Sequence, residues 1–173
     1  MTPPSWRTRP ETPADAPAVR WVLLAAFPTA EEADLVDALR RDAAWLPGLS
    51  WVAQAPTGRI AAYALLTRCT VGGEPALALA PVAVRPAYQG QGAGGAVTRA
   101  ALRAAGERGE RLVVVLGHPG YYPRFGFAPA SRLGIRAPFE APDEALMALT
   151  LDDPGGAGDV PSGTIRYAAP FGV

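Results

Sequence analysis

Lysine and asparagine are absent from this chain, so all 16 of its basic side chains are arginine, and they balance 16 acidic residues at a formal net charge of zero. Without lysine a Walker-type GxxxxGK phosphate loop is impossible. Without a net positive field, nucleic acid is a poor expectation as a partner. Cysteine occurs once, at Cys69 in an apolar, β-branched neighbourhood. No internal disulfide can form, a reducing compartment is the natural reading, and the thiol is expected to be buried and inert rather than nucleophilic. Long hydrophobic runs are missing as well. The longest, Ala76 to Val84, is interrupted by Pro81 and falls far short of the ~20 residues that a membrane-spanning helix needs. The amino terminus, MTPPSWRTRPE, lacks the apolar stretch of a secretion signal. The expectation is a cytoplasmic protein with no membrane partner.

A length of 173 residues, 49% of them hydrophobic, is enough for one domain with a real core, and no repeat or linker divides residues 1–173. Thr12 as N-cap, Pro13 in the first turn and Val19, Val22, Leu23 and Phe27 on one face predict a first helix, closed by Pro28. Glu31 to Arg41 predicts a second, with Leu35, Ala38 and Leu39 as its stripe and Pro47-Gly48 ending the pair. From Leu49 the period changes. LSWVAQ, RIAAYALLTRCTV and PALALAPVAV, separated by APTG and by Gly72-Gly73-Glu74, predict three antiparallel strands in a meander. A helix from about Gly92 to Arg108 follows, with Val97, Ala101, Ala104 and Ala105 inward, and then the uniformly apolar RLVVVLG, of the type found in covered parallel strands. Strand, helix and strand make a right-handed crossover. ALMALTL and TIRYAAPF predict two further strands around a mobile loop, DDPGGAGDVPSG.

RPAYQGQGAGGAV sets four glycines within six residues, between a strand and a helix. Helix N-termini leave backbone N–H groups without intrahelical partners, and glycines clear away the side chains that would keep an anion off them. A phosphate or pyrophosphate therefore fits; the alternative is a tight turn that needs glycine for its dihedrals. Gly90, Gly92 and Gly95 also spell GxGxxG, the dinucleotide fingerprint, but five residues, Arg85 to Gln89, separate them from the preceding strand. The acid expected after the next strand is replaced by Gly117-His118, and an antiparallel meander upstream is wrong for a doubly wound fold.

The same loop reads as Q-x-x-G-x-G through Gln89, Gly92 and Gly94. With VAV-RP before it and YYPRFGF (Tyr121 to Phe127) after the next strand, it closely resembles the GNAT acyltransferase superfamily. LGHPGYYPRFGF and GTIRYAAPF are similar to one bacterial branch of predicted N-acetyltransferases, and the similarity runs from about Trp6 to Phe171. The resemblance implies an α/β (α+β) fold whose mixed, mostly antiparallel central sheet splays open between two parallel strands, Ala76 to Val84 and Leu112 to Leu116, with helices on its flanks. It implies acetyl-CoA as co-substrate, without a metal. The pantetheine would lie along Val82, Ala83 and Val84, and the pyrophosphate on the loop formed by Gln89, Gly90, Gln91, Gly92, Ala93, Gly94 and Gly95, chiefly on the N–H groups of Gln91 to Gly95. Arg99 or Arg103 would reach the nucleotide phosphates or simply face solvent.

The reaction implied is attack of an amine on the acetyl thioester, which needs an oxyanion donor and a proton for the leaving thiolate. By resemblance Tyr122, the Tyr of Y-x-x-x-G-F, is the general acid, with a packed aromatic as the alternative. A backbone N–H near Val82 would be the oxyanion donor. Tyr121 is expected mainly to pack, and Phe125 and Phe127 to be core. His118, the one histidine, either holds its loop or acts as a base. Several relatives use a Glu on the central strand as base, but Pro75 to Gln89 contains no Asp or Glu. Glu31 and Glu32 could serve, though acids in a first turn usually answer the helix dipole. The base stays unassigned. Two functions remain: an N-acetyltransferase acting on a small or peptidic amine, as monomer or homodimer, and a catalytically silent acyl-CoA-binding or scaffold module of the same fold.

Overall fold

The computed structural model describes residues 5–151 and 160–173; the expected mobile loop falls, over 152–159, outside the described residues. A short strand, β1 (Arg7–Pro10), comes first and pairs antiparallel with β2 (Trp45–Gln54). It carries no apolar signal, because an edge strand of Arg, Thr and Pro buries no face. Its Arg9 instead makes a forked pair with Asp15 at 2.6 and 2.9 Å, and Asp15 also accepts the Thr12 N–H at 2.7 Å. The Arg9 hydrogen bonds, with the smaller help of Thr12, hold the Asp15 carboxyl well below the usual carboxylate range. This closes a 3-10 turn, Pro13–Asp15, that leads into α1 (Ala16–Ala26).

The second helix, α2 (Glu31–Leu39), buries Ala33, Val36 and Leu39. The expected stripe of Leu35, Ala38 and Leu39 is thus rotated, with Leu35 and Ala38 only half-buried, because a nine-residue helix with apolar positions on two faces takes its orientation from the sheet beneath it. The meander follows as β2 (Trp45–Gln54), β3 (Ile60–Val71) and β4 (Glu74–Val84). β2 begins at Trp45, opposite Thr67, and Pro47-Gly48 is not a terminator but an irregularity inside the strand, with Gly48 at φ +83°. Then come α3 (Ala93–Glu107), β5 (Leu112–Leu116), and the short or late strands β6 (Ala128–Pro129), β7 (Ile135–Arg136), β8 (Leu146–Thr150) and β9 (Gly163–Arg166).

The sheet runs β1-β2-β3-β4-β5-β8-β6, with β9 pairing the far end of β3. It is antiparallel except at β4–β5, and the two-residue β7 lies parallel to β9. One face is covered by α3, whose Val97, Ala101 and Ala105 pack with Ala64, Leu66, Leu77 and Val113. The other carries α1 and α2, packed on Val52, Tyr63, Leu65 and Ala83. A mixed, mostly antiparallel sheet opened between two parallel strands and flanked by helices is the fold expected from the sequence.

The two parallel strands touch at one end only. Their paired residues are Leu77 with Val113 and Ala78 with Val114. That closed end is clamped by Arg68 of β3, which donates to both Glu110 oxygens, at 2.5 and 3.0 Å, and to the Ala76 carbonyl at 3.1 Å. Glu110→Ala leaves a half-buried guanidinium without its partner and is expected to lower unfolding stability by about 1–3 kcal/mol. Urea denaturation checks this, and a change within about 0.5 kcal/mol would show that the clamp is idle.

Candidate active site

Beyond Ala78 and Val114 the parallel strands part, and a cleft of about 740 Å³ fills the gap. Its first wall is β4. Ala64 pairs with Val82 and Leu66 with Leu79, so Ala80 and Pro81 together oppose Leu65 alone, which is a β-bulge. The bulge inverts the alternation of side chains. Leu77 and Leu79 face α3 before it, Val82 and Val84 face that side after it, and Ala83 turns to the α1–α2 face. Past the bulge, Val82, Ala83 and Val84 are paired to β3 only and line the cleft with their other edge, a strand edge open to an extended ligand.

The floor is the glycine loop. After a 3-10 turn, Pro86–Tyr88, Gly90 and Gly92 take φ of +73° and +88°, and Gly92 becomes the N-cap of α3. The first intrahelical bond runs from Ala96 N–H to the Gly92 carbonyl at 3.0 Å. The N–H groups of Ala93, Gly94 and Gly95 therefore have no acceptor within the helix, and no acidic side chain stands in the first turn to compete for the positive dipole end. Both glutamine amides are spent on the loop itself, Gln89 on the Val84 carbonyl at 3.4 Å and Gln91 on the Ala87 carbonyl at 3.1 Å. Trp6 completes the brace: its indole N–H donates to the Gln91 carbonyl at 2.8 Å and its ring meets Tyr88 edge-on at 5.6 Å. Sequence reasoning missed this role, although a lone Trp in a polar, proline-rich leader is a usable signal.

The second wall is the segment after β5. His118 is exposed, and it orders the segment through its backbone carbonyl, which accepts the Tyr121 and Tyr122 N–H groups at 3.0 and 3.3 Å. The two tyrosine rings stand edge-on, 5.2 Å apart at 85°, and both line the cleft. Tyr122 packs on Phe127 and lies so close over Gly117 that a Cβ there would run into its ring. Burial, with a smaller contribution from Tyr121, pushes the Tyr122 phenol up to about 12. Tyr121 packs, as expected, and it does so across the cleft against the start of α3. Its hydroxyl would sit 2.9 Å from a Cβ at Gly94, and Val84 Cγ2 would sit 3.0 Å from it, so the helix start is pressed between both walls. Its phenol is raised by burial, against the pull of Arg124 and Arg99.

Arg99 belongs to the cleft and Arg103 does not: Arg99 folds back over the Phe125 ring at 5.0 Å, its Nη1 2.9 Å from where a Gly95 Cβ would lie. Phe127 is core, while Phe125 is half-buried against it. Ala26 and Phe27, at the end of α1, and Arg124 add lining that the sequence did not single out. Glu31 is exposed, and Glu32 keeps one buried oxygen, Oε2, without a partner; neither lines the cleft. Cys69 is buried and its thiol pushed up to about 12 by desolvation, which fits an inert side chain. Among the described residues no group of three or more His, Cys, Asp or Glu is arranged for a metal, and no helix is long and apolar enough to cross a membrane.

Comparison with known proteins agrees with this geometry. The model of the acetyltransferase (GNAT) family matches residues 16–127. The uncharacterized N-acetyltransferase YjhQ of Escherichia coli is 42% identical over 136 residues, covering 76% of this chain and 75% of that protein. YhbS of the same species is 34% identical over 147 residues, covering 84% and 87%. The crystal structure of Escherichia coli YhbS in complex with CoA superposes with a TM-score of 0.88 at 30% identity, covering 100% of this chain and 96% of the other. A GNAT family acetyltransferase from Brucella melitensis in complex with acetyl-CoA gives a TM-score of 0.77 at 31% identity, covering 96% and 98%. A family match over more than half the chain, together with relatives of this identity and coverage, makes the chain an N-acetyltransferase of the GNAT family.

Proposed function

We propose that the protein, acting as a single domain over residues 1–173, transfers the acetyl group of acetyl-CoA to a primary amine by direct attack on the thioester. The observation that carries this is the opening of β4 from β5 above a helix start stripped of side chains, in a chain whose relatives are solved with CoA and acetyl-CoA. The pantetheine amides pair with the free edge of Val82, Ala83 and Val84 as an added strand. The pyrophosphate rests on the N–H groups from Gln91 to Gly95, held at the end of the α3 dipole, with Arg99 supplying charge beside it. Gln89 and Gly90 shape the approach of the loop rather than binding through side chains.

In the chemical step the amine nitrogen attacks the acetyl carbonyl carbon. The N–C bond forms, the C–S bond breaks, the sulfur takes a proton from the Tyr122 hydroxyl, and the proton shed by nitrogen leaves through water, from which Tyr122 takes a proton back. A backbone N–H beside Val82 stabilises the carbonyl oxygen as charge gathers on it. A phenol pushed up to about 12 stays neutral throughout the working range. It is also a weak acid against a thiol near the ordinary ~8.5, so hydrogen bonding to the developing thiolate carries much of its effect. With no carboxylate on the cleft strand, solvent is the favoured base.

Three expectations follow from this reading. Gly94→Val sets a side chain against Tyr121 and Val84 and is expected to abolish saturable binding of CoA in calorimetry, with circular dichroism unchanged; undiminished binding would remove the loop from the site. Tyr122→Phe is expected to slow acetyl transfer about 10- to 10³-fold with CoA affinity little changed. An unchanged rate with every amine tried would return Tyr122 to packing. The rate at subsaturating amine is expected to climb with pH toward the pKa of the amine, and a phenol raised above its usual ~10 adds no falling limb below that pH. A plateau at neutral pH that disappears in His118→Ala would make His118 the base.

A further inference from the structure

The parted strands enclose a second space on the side away from the glycine loop. It is a cavity of about 220 Å³, walled by Leu79 and Ala80 of β4, Val115 and Leu116 of β5, and an aromatic group from the carboxy-terminal part of the chain. In that group Phe139 stacks on Tyr167 at 6.1 Å and 22°, and Phe171 meets Tyr167 at 5.4 Å. Among the described residues no acidic, basic or amide side chain lines it. The Tyr167 hydroxyl is the one polar side-chain group in the wall, and burial pushes its phenol up to about 12, so it carries no charge at working pH.

We propose that this cavity receives an apolar, aryl or branched alkyl, substituent of the acceptor amine, so that the preferred acceptors are hydrophobic primary amines rather than polyols, polyamines or acidic amines. The inference rests on the transferase reading above and adds the class of acceptor. Three observations favour the acceptor as occupant. The cavity meets β4 at Ala78 to Ala80 and the cleft meets it from Val82, two residues further on, so an amine held in the cavity lies beside the stretch of β4 proposed to carry the pantetheine. Leu116, 48% exposed and one of four large hydrophobic side chains left exposed among the described residues, lines this cavity. Apolar groups held in water beside an apolar hollow mark a surface that a ligand covers. The space also exceeds the ~150 Å³ that suffices to hold a benzene ring in an apolar protein cavity.

The test is a series of n-alkyl and arylalkyl primary amines of similar basicity, assayed by thiol release at saturating acetyl-CoA. kcat/KM is expected to rise about 3- to 4-fold per added methylene until the cavity is filled, the ratio that burial of one methylene sets. Leu116→Asp, at an exposed lip where folding is not at stake, is expected to flatten the series while calorimetric CoA affinity stays the same; Phe171→Ala is expected to shift the optimum to larger amines. A flat wild-type series, or preference for hydroxylated or charged amines, with CoA binding intact, would overturn this inference alone. So would a length dependence that appears with acyl-CoA chains from two to six carbons and not with the amines, since the cavity would then hold the acyl group. Absence of CoA binding would instead overturn the transferase reading beneath it.

Discussion

Parallel strands that begin to pair ordinarily continue, and the site exists because β4 and β5 do not. They are joined at Leu77–Val113 and Ala78–Val114, clamped there by Arg68 and Glu110, and forced apart beyond by the Ala80-Pro81 bulge. The bulge adds a residue that β3 cannot match, and its Pro81 has no N–H to give to a neighbour. Everything attributed to the site depends on the resulting edge. The cleft is lined by Val82 to Val84, past the bulge, and the apolar cavity by Ala78 to Ala80 and Val114 to Leu116, around the point where the strands part.

The electrostatics of the proposed pyrophosphate site follow a second constraint, a chain without lysine. Charge there would come from dipoles first: three N–H groups without helical acceptors at the start of a 15-residue helix, with no acid in its first turn. Arg99 and Arg124 add to it, and both lie over aromatic rings, at 5.0 and 4.2 Å, which limits their freedom before anything binds. Trp6 joins the loop to the amino-terminal segment, so the floor of the cleft is braced from a part of the chain distant in sequence.

Legibility in the sequence followed burial. The meander, α3 and the crossover were readable because each buries a periodic face, and the glycine loop and YYPRFGF because their spacing is unusual. β1 was not, since Arg7–Pro10 is an edge with no apolar side. The face of α2 was misjudged because both candidate faces are apolar and the sheet chose between them. Nothing in the order of residues announces the buried polar group in which Glu11 meets Arg40, Ser50 and Tyr63, with Ser50 and Tyr63 hydroxyls 2.7 Å apart. Its members come from four separate places, the residue after β1, the end of α2, β2 and β3, and meet only when α2 is laid on the sheet. Where Tyr121 packs was not legible for a similar reason: its nearness to Gly94 is a contact between the two cleft walls, which no local pattern encodes.

A crystal structure of this protein with CoA bound tests the central claim most directly. Pantetheine density is expected between β4 and β5, its amides bonded to the backbone of Val82 to Val84, with the pyrophosphate within hydrogen-bonding distance of the N–H groups from Gln91 to Gly95. CoA bound elsewhere on the molecule, or a cleft that stays closed to it at saturating concentration, would contradict it.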